Sequence, residues 1–155
     1  MVGASHVVRT ATLTDVDALL MLMGEASPGL ERVPPDSATA RALEALLDDS
    51  RLGQVWLIEY DGHPAGFVVM TVGFSMEWGG LRGFIENFFV TPRYRGQGLA
   101  HAALEQVKLA CRRRGVRALL VENSPEEAAA LNAYRRAGFA ATDTALLVLP
   151  LIGDS

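Results

Sequence analysis

The chain has 155 residues, a length that suits one domain over residues 1–155 and leaves little room for two. Apolar residues make up 50% of the chain, so a sizeable core can form. The 18 acidic residues outnumber the 14 basic ones and give a net charge of -4. This balance argues against a nucleic-acid-binding protein, which usually has a basic surface, and it fits a cationic small substrate.

Cysteine usage and hydropathy bear on the chain's location. Cys111 is the single cysteine, which excludes a disulfide framework and a zinc site built on cysteines, and we expect no metal. The N-terminus lacks a basic start followed by an apolar run, as a signal peptide would have. The most apolar stretch, residues 145–152, is far shorter than the ~20 residues that a membrane helix needs. We therefore expect a cytoplasmic protein with no membrane partner.

The first third of the chain predicts one strand and two helices. Val7 and Val8 indicate a short strand, and Thr14 or Asp15 can cap the helix that follows. Pro28-Gly29 ends that helix, and a second helix opens after residues 34–36.

The remaining elements indicate a mixed sheet. Residues 55–60, 65–74 and 84–90 predict strands, of which the first two form a hairpin. A helix over residues 99–114, a strand over 117–121 and a helix over 125–136 follow, and Phe139 with residues 144–149 supplies a final strand or two. The order predicts an α/β (α+β) domain with a mixed, mostly antiparallel central sheet flanked by helices.

The segment between residues 88 and 101 carries the strongest functional pattern. The apolar strand ends at Val90, a short loop contains Gly96 and Gly98, and a helix begins at once. The start of a helix presents unpaired N–H groups and the positive end of the helix dipole. Glycine lets an anion approach this backbone without a clash against Cβ. The pattern therefore predicts an anion site, for which a phosphate is the best candidate.

Two common phosphate motifs do not fit this loop. A P-loop continues with Gly-Lys-Ser/Thr, whereas Gly98 is followed by Leu99 and Ala100. A dinucleotide-binding fingerprint has a third glycine where this chain has His101, and its strand opens a parallel series. A strand-to-helix turn that uses glycine only for its geometry remains an alternative.

Two spaced motifs resemble the GNAT superfamily of N-acetyltransferases. The family signature Gln/Arg-x-x-Gly-x-Gly/Ala reads here as Arg95-Gly96-Gln97-Gly98-Leu99-Ala100, after a typical Val-x-Pro-x-Tyr at residues 90–94. A helix ending in Tyr-x-x-x-Gly-Phe reads as Tyr134-Arg135-Arg136-Ala137-Gly138-Phe139. The spacing of the motifs and the element order also match the family. The resemblance implies the GNAT fold and acetyl transfer from acetyl-CoA to an amine.

The resemblance also implies which residues contact acetyl-CoA. The backbone of Phe88, Phe89 and Val90 would pair with the pantetheine arm as an added strand does. The N–H groups of the signature loop and the first helical turn would hold the pyrophosphate. These residues, with the arginine of the signature, are Arg95, Gly96, Gln97, Gly98, Leu99, Ala100 and His101. Tyr134 would face the sulfur, as a general acid or as a hydrogen-bond donor to the leaving thiolate.

Two glutamates are candidates for the general base. Direct transfer needs a neutral amine, and a carboxylate can accept the proton of the ammonium form, whose pKa is about 10. Glu86 is preferred because it lies in an apolar strand, and strand alternation would place it on the same face as Val90. Its surroundings resemble a stretch of the polyamine acetyltransferases. Glu122 matches the basic glutamate of the ribosomal-protein alanine acetyltransferases. A structural anchor is the alternative role for Glu86, and a solvated strand end for Glu122.

The acceptor is left open by two departures from the family pattern. Asn87 stands where the amine-acetylating relatives carry an acid. Glu127 stands where many members have a pantetheine-binding Asn, and Asn123 is close but offset. A small amine is the preferred acceptor. A peptide N-terminus or lysine, and a CoA-binding regulatory protein without catalysis, are the alternatives. Homodimers are common in the family, but no sequence feature locates an interface.

Overall fold

A computed structural model describes residues 5–27, 32–123 and 128–152, which form a five-stranded sheet with helices on both faces. The strands are β1 His6–Thr10, β2 Gly53–Tyr60, β3 His63–Ser75, β4 Gly80–Val90 and β5 Ala118–Val121. The helices are α1 Val16–Ala26, α2 Ala38–Asp48, α3 Leu99–Arg114 and α4 Ala128–Arg136. None of the helices in these ranges is long and apolar enough to cross a membrane.

The strands are arranged in the sheet in the same order as in the chain. β1 to β4 pair antiparallel with their neighbours, and β5 pairs parallel with β4 after the α3 crossover. Asp61 and Gly62, with φ of 48° and 80°, form the tight turn between β2 and β3. The predicted α/β class and the mixed, mostly antiparallel sheet are therefore confirmed.

Alternation along the strands divides the core into two layers. On β2, Val55 and Leu57 pack under α1 and α2, whereas Trp56 and Ile58 pack under α3 and α4. All four side chains are almost fully buried. The sheet is thus apolar on both faces along β2.

The predicted final strand does not form in this structure. Residues 140–152 pair with no strand in the described part of the chain, and every one of them is exposed. The sequence of residues 144–149 favours a strand, but a strand needs a neighbouring edge to bond to, and this segment does not lie along one. The predicted end of the first helix at Pro28-Gly29 lies outside the described residues, as does the start of the last helix at Pro125.

A partly buried ion pair fixes the start of α1 to the sheet. Arg9 of β1 donates to both carboxylate oxygens of Asp15, at 2.8 and 3.0 Å, and to Glu59 at 2.8 Å. Asp15 also accepts from the N–H of Thr12 at 2.8 Å and its side chain is only 10% exposed. The hydrogen bond from Arg9 lowers the pKa of Asp15 below its ordinary value of 3.8.

Asp15→Asn is expected to lower the free energy of unfolding at pH 7 by about 1–3 kcal/mol, because it removes the charge of a nearly buried carboxylate that accepts two hydrogen bonds from Arg9. Since the pKa of Asp15 is lowered in the folded state, its stabilisation is present above the ordinary pKa and is lost as the pH falls through the lowered one. Urea unfolding at pH 7 and at pH 3 should show the two proteins converging in acid. Asp49→Asn, at the exposed Arg51 pair, is the control with a much smaller effect.

Candidate active site

β4 loses one of its two neighbours halfway along its length. On one side it pairs with β3 to the end at Val90. On the other side β5 pairs with it only from Arg82 to Ile85, because β5 ends at Val121. The edge of β4 over residues 86–90 therefore faces no strand of the described residues. An open edge of this kind can bind an extended ligand by strand addition.

Backbone alternation decides which groups of β4 face the open edge. The N–H of Thr91 donates to β3 at 2.8 Å, and a Cβ on Gly66 of β3 would lie 2.3 Å from the carbonyl oxygen of Phe89. The backbones of Thr91 and Phe89 are therefore turned towards β3. Phe88 and Val90 alternate with them and face the open edge. Of the three strand residues assigned to the pantetheine arm, Phe88 and Val90 have backbones that face the open edge, and the backbone of Phe89 faces β3.

The loop after β4 ends in an unpaired helix N-terminus. Gly96 and Gly98 have φ of 81° and 80°, a conformation that favours glycine. The first backbone bond of α3 runs from the N–H of Ala102 to the carbonyl of Gly98 at 3.1 Å. The six N–H groups from Gly96 to His101 have no backbone acceptor within the described residues. A Cβ on either glycine would meet nothing within 4 Å, so the space in front of these donors is open. Such an arrangement of unpaired donors suits an anion.

Side chains of the same loop hold it in place. Arg95 Nε donates to the carbonyl of Val90 at 2.9 Å, and its guanidinium lies 5.7 Å from the ring centre of Phe89. Leu99 is 2% exposed and anchors the helix start in the core. Arg95 therefore fixes the loop to the end of β4. Gln97 and His101 are exposed, and Ala100 is half-buried.

Tyr134 lies beside the open half of β4. It is 5% exposed on α4, with its ring 5.9 Å from that of Phe88 and 5.5 Å from that of Phe139. Gly138, with φ of 107°, turns the chain so that Phe139 donates back to the Tyr134 carbonyl at 3.0 Å. The second motif thus serves to place Tyr134 next to the strand that ends the first motif.

A bulge in β4 sets the position of Glu86. The register with β3 shifts between Val69 and Met70, and Glu86 is the residue of β4 left without an opposite neighbour. Its carboxylate accepts a hydrogen bond from the Thr71 hydroxyl at 2.9 Å. Thr71 follows Val69 by two residues, on the α1 and α2 face, whereas Val90 packs on the other face. The expectation that Glu86 and Val90 share a face is wrong, because the bulge resets the alternation.

Both candidate bases line one open cleft. Its volume is about 370 Å³, and it lies where β5 ends beside β3 and β4. The residues that line it are Thr71, Val72, Gly73, Arg82, Phe84, Glu86 and Glu122. Two carboxylates against one guanidinium give the cleft a net negative charge, which suits an ammonium group.

Two polar residues of the cleft were not anticipated from the sequence. Thr71 is a hydroxyl inside the apolar run of β3, and that interruption was a usable signal. Arg82 lies near the start of β4 and had no signal, because its part in the cleft depends on how β4 and β5 meet. Asn123 directly follows Glu122 and is half-buried, whereas Glu127 lies outside the described residues.

Two further side chains, Trp78 and Cys111, lie outside the cleft lining. Trp78 lies in the turn between β3 and β4, 48% exposed, and its carbonyl accepts a hydrogen bond from Arg117. Cys111 is buried on α3, and this burial raises the pKa of its thiol, so it is a packing residue. Within residues 5–27, 32–123 and 128–152 no group of three His, Cys, Asp or Glu could hold a metal ion.

Comparisons with known proteins agree with this architecture. No curated protein matches the chain significantly. Among solved structures, the integron cassette protein HFX_CASS3 from the mobile metagenome of Cole Harbour Salt Marsh is 45% identical, covers 95% of this chain and 91% of that chain, and has a TM-score of 0.83. The aminoglycoside N-acetyltransferase AAC(6')-Iy, in complex with the bisubstrate analogue CoA-S-monomethyl-acetylneamine, is 20% identical over 96% of this chain and 99% of that chain, with a TM-score of 0.80.

A third structural relative comes from a protein-modifying enzyme. The ribosomal-protein-alanine N-acetyltransferase from Brucella melitensis biovar Abortus 2308 is 18% identical over 95% of this chain and 99% of that chain, with a TM-score of 0.75. At such identities the last two likenesses show a shared fold. The sequence profile of the acetyltransferase (GNAT) family matches residues 19–139, which is well over half of the chain. The chain therefore belongs to the acetyltransferase (GNAT) family.

Proposed function

We propose that this protein transfers the acetyl group of acetyl-CoA to a primary amine of a small cationic molecule, by direct attack in a ternary complex. The observation that carries the proposal is the cleft in which Glu86 and Glu122 meet, at the point where β4 loses its β5 neighbour. A net negative cleft attracts an ammonium substrate, and a carboxylate within it can accept the ammonium proton.

The residues present fit acetyl-CoA, which supplies the acetyl group as a thioester. An extended pantetheine arm fits the open edge, where the backbones of Phe88 and Val90 face outward. Its pyrophosphate fits the six N–H groups from Gly96 to His101. Phe89 contributes to this binding site through its ring, over which the Arg95 guanidinium lies, and not through its backbone.

The chain's own groups account for the proton movements. Glu86, held by the Thr71 hydroxyl, takes one proton from the ammonium form of the acceptor. The amine nitrogen then forms its bond to the acetyl carbonyl carbon, and the carbon–sulfur bond breaks. The Tyr134 hydroxyl donates its proton to the departing thiolate and regains one from the amide nitrogen through solvent. No covalent bond to the protein is formed, so the buried Cys111 is not required.

A peptide is the second candidate acceptor. The turn between β3 and β4 next to the cleft exposes Phe74 by 67%, Met76 by 88% and Trp78 by 48%. Exposed apolar and aromatic side chains beside a cleft can contact a longer ligand. The low-identity likeness to a ribosomal-protein-alanine N-acetyltransferase is one of fold and does not decide between the two acceptors.

An acceptor panel tests the proposal. Purified protein and acetyl-CoA are mixed with polyamines, aminoglycosides, amino acid amides, and peptides with free N-termini or lysines, and thiol release is followed. Turnover with a small polyamine or aminoglycoside supports the proposal, whereas turnover with peptides alone assigns the second candidate. If no acceptor of the panel gives thiol release, but calorimetry shows that the protein binds acetyl-CoA, the result would favour a regulatory CoA-binding protein.

Tyr134→Phe is expected to lower kcat by about a hundredfold, the usual contribution of a general acid, with little change in the Kd of acetyl-CoA. The substitution keeps the ring that packs on Phe88 and Phe139, so the fold should be retained. Tyr60→Phe removes a hydroxyl from β2, outside the site, and is the control. Steady-state kinetics and calorimetric titration with acetyl-CoA give both numbers. Equal losses in kcat and in affinity would contradict the acid role.

A further inference from the structure

The acceptor cleft contains a guanidinium that no carboxylate neutralises. Arg82 lines the cleft together with Glu86 and Glu122, and it is half-buried. It takes part in none of the ion pairs or side-chain hydrogen bonds formed within residues 5–27, 32–123 and 128–152. A guanidinium presents its N–H donors in a planar fork, which matches a carboxylate in a bidentate arrangement. Arg82 is therefore available to an anionic group of a ligand.

The pairing of β3 with β4 places the opposite charges of the cleft on one face of the sheet. Gly73 lies opposite Arg82, and Thr71 lies opposite Phe84. Residues directly opposite each other share a face, as do residues two apart on one strand. Glu86 reaches the same face, because its carboxylate accepts the hydrogen bond of the Thr71 hydroxyl at 2.9 Å. A ligand that lies along this floor can contact the carboxylate and the guanidinium together.

A glycine determines where the guanidinium lies. A Cβ on Gly73 would be 3.5 Å from both Cζ and Nη2 of Arg82, so the guanidinium rests against the backbone of Gly73. The carboxylate of Glu86 lies at Thr71. Thr71 and Gly73 are two residues apart on β3, a spacing of about 7 Å. The negative and positive groups of the cleft are thus separated along the strand.

This separation favours an acceptor whose amine and anionic group are several atoms apart. An α-amino acid holds its ammonium nitrogen only about 3 Å from its carboxylate oxygens, which is too close to reach both groups. The side-chain amine of free ornithine or lysine lies about 6–8 Å from the carboxylate when the chain is extended. The net negative charge of the cleft also favours a net positive ligand, and the α-ammonium of these amino acids supplies that charge.

We propose that the acceptor is a free basic amino acid, acetylated on its side-chain amine while Arg82 binds its carboxylate. This assignment rests on the function proposed above. Glu86 accepts a proton from the side-chain ammonium, the amine nitrogen forms its bond to the acetyl carbon, and the carbon–sulfur bond breaks. The products are the side-chain amide and the CoA thiol, and one proton is released. The α-amine lies at the Arg82 end of the cleft, away from Glu86, and does not react.

Calorimetric titration with lysine and with lysinamide, in the presence of CoA, measures the carboxylate contact without turnover. Lysine should bind about tenfold or more tightly than lysinamide, since a charge-assisted contact is lost in the amide. Arg82→Met should weaken the binding of lysine by about the same factor and leave that of lysinamide unchanged. Arg113→Met changes an exposed arginine of α3 and should keep the preference for lysine. Equal or tighter binding of lysinamide by the unmodified protein would overturn the proposal.

Two further variants test the position of the guanidinium. Gly73→Val suits a strand but displaces the Arg82 side chain, so it should also remove the preference for lysine over lysinamide. Arg82→Lys keeps the charge without the planar fork and should retain part of the preference. If Arg82→Met and Gly73→Val both keep the full preference, the carboxylate is bound elsewhere and the proposal is wrong.

Product analysis separates this proposal from the acetyl transfer on which it rests. Lysine and acetyl-CoA are incubated with the protein, and the product is identified by NMR. Acetylation of the side-chain amine supports the proposal. Acetylation of the α-amine, or an equal or higher kcat/KM for 1,5-diaminopentane, which lacks the carboxylate, would overturn it and leave an amine acetyltransferase. Arg82-dependent binding of lysine without a product from any amine would instead overturn the acetyl transfer and leave the carboxylate site.

Discussion

Glu86→Gln is expected to lower kcat/KM for the amine acceptor by about a hundredfold or more, because the amide cannot accept the ammonium proton. The rate of the variant should rise with pH up to the pKa of the acceptor itself, about 10, since only the neutral amine then reacts. The pH optimum therefore moves upward. Initial rates across this pH range, at saturating acetyl-CoA, measure both effects.

Three further variants serve as comparisons for Glu86→Gln. Glu44→Gln makes the same change of charge on an exposed face of α2 and should leave the pH profile unchanged. Thr71→Val removes the hydroxyl that holds Glu86 at 2.9 Å and should cost less than Glu86→Gln. Glu122→Gln is the competing assignment. If Glu122→Gln abolishes the pH dependence while Glu86→Gln preserves it, the base is Glu122.

Gly98→Ala is expected to raise the Kd of acetyl-CoA by about tenfold or more, because its Cβ would stand in front of the N–H groups offered to the pyrophosphate. Gly115→Ala is a closely matched control at the other end of the same helix. The two glycines have φ of 80° with ψ of 11° and 18°, and neither Cβ would meet an atom within 4 Å.

Both glycine variants should lose a similar free energy of unfolding, about 1–2 kcal/mol, since each forces alanine into the left-handed region. Calorimetric titration with acetyl-CoA and urea unfolding separate the two effects. Equal affinities in the two variants would remove the phosphate role from Gly98 and leave a glycine required only for the turn.

The sequence was most informative where a structure depends on neighbouring residues. The boundaries of α3, Leu99–Arg114, match the predicted helix to the residue, because a glycine with positive φ stands at each end. The unpaired start of α3 follows from the same local features. The turn at Asp61 and Gly62 was also predicted from the sequence, since its conformation depends on those two residues.

Features that depend on pairing between distant segments were harder to predict from the sequence. The bulge at Glu86 is a property of the register between β3 and β4, and no pattern within β4 reveals it. Glu86 and Glu122 line one cleft because β4 and β5 pair in parallel, and only the family resemblance pointed to Glu122. The segment 144–149 has the composition of a strand, but its pairing depends on an edge that its own chain does not place beside it.

With acetyl-CoA as the proposed donor, the half-paired strand β4 would tie the stability of this protein to the supply of that donor. Beyond Ile85 one edge of β4 has no neighbour in the described structure, and a bound pantetheine arm would complete the ladder there. A ligand that binds only the folded chain adds to its stability by mass action, about 2.7 kcal/mol at a free concentration a hundredfold above Kd. A cell short of acetyl-CoA would then hold an enzyme that is less saturated and also more often unfolded. Because proteases act on the unfolded fraction, the number of enzyme molecules would fall with the metabolite that they consume.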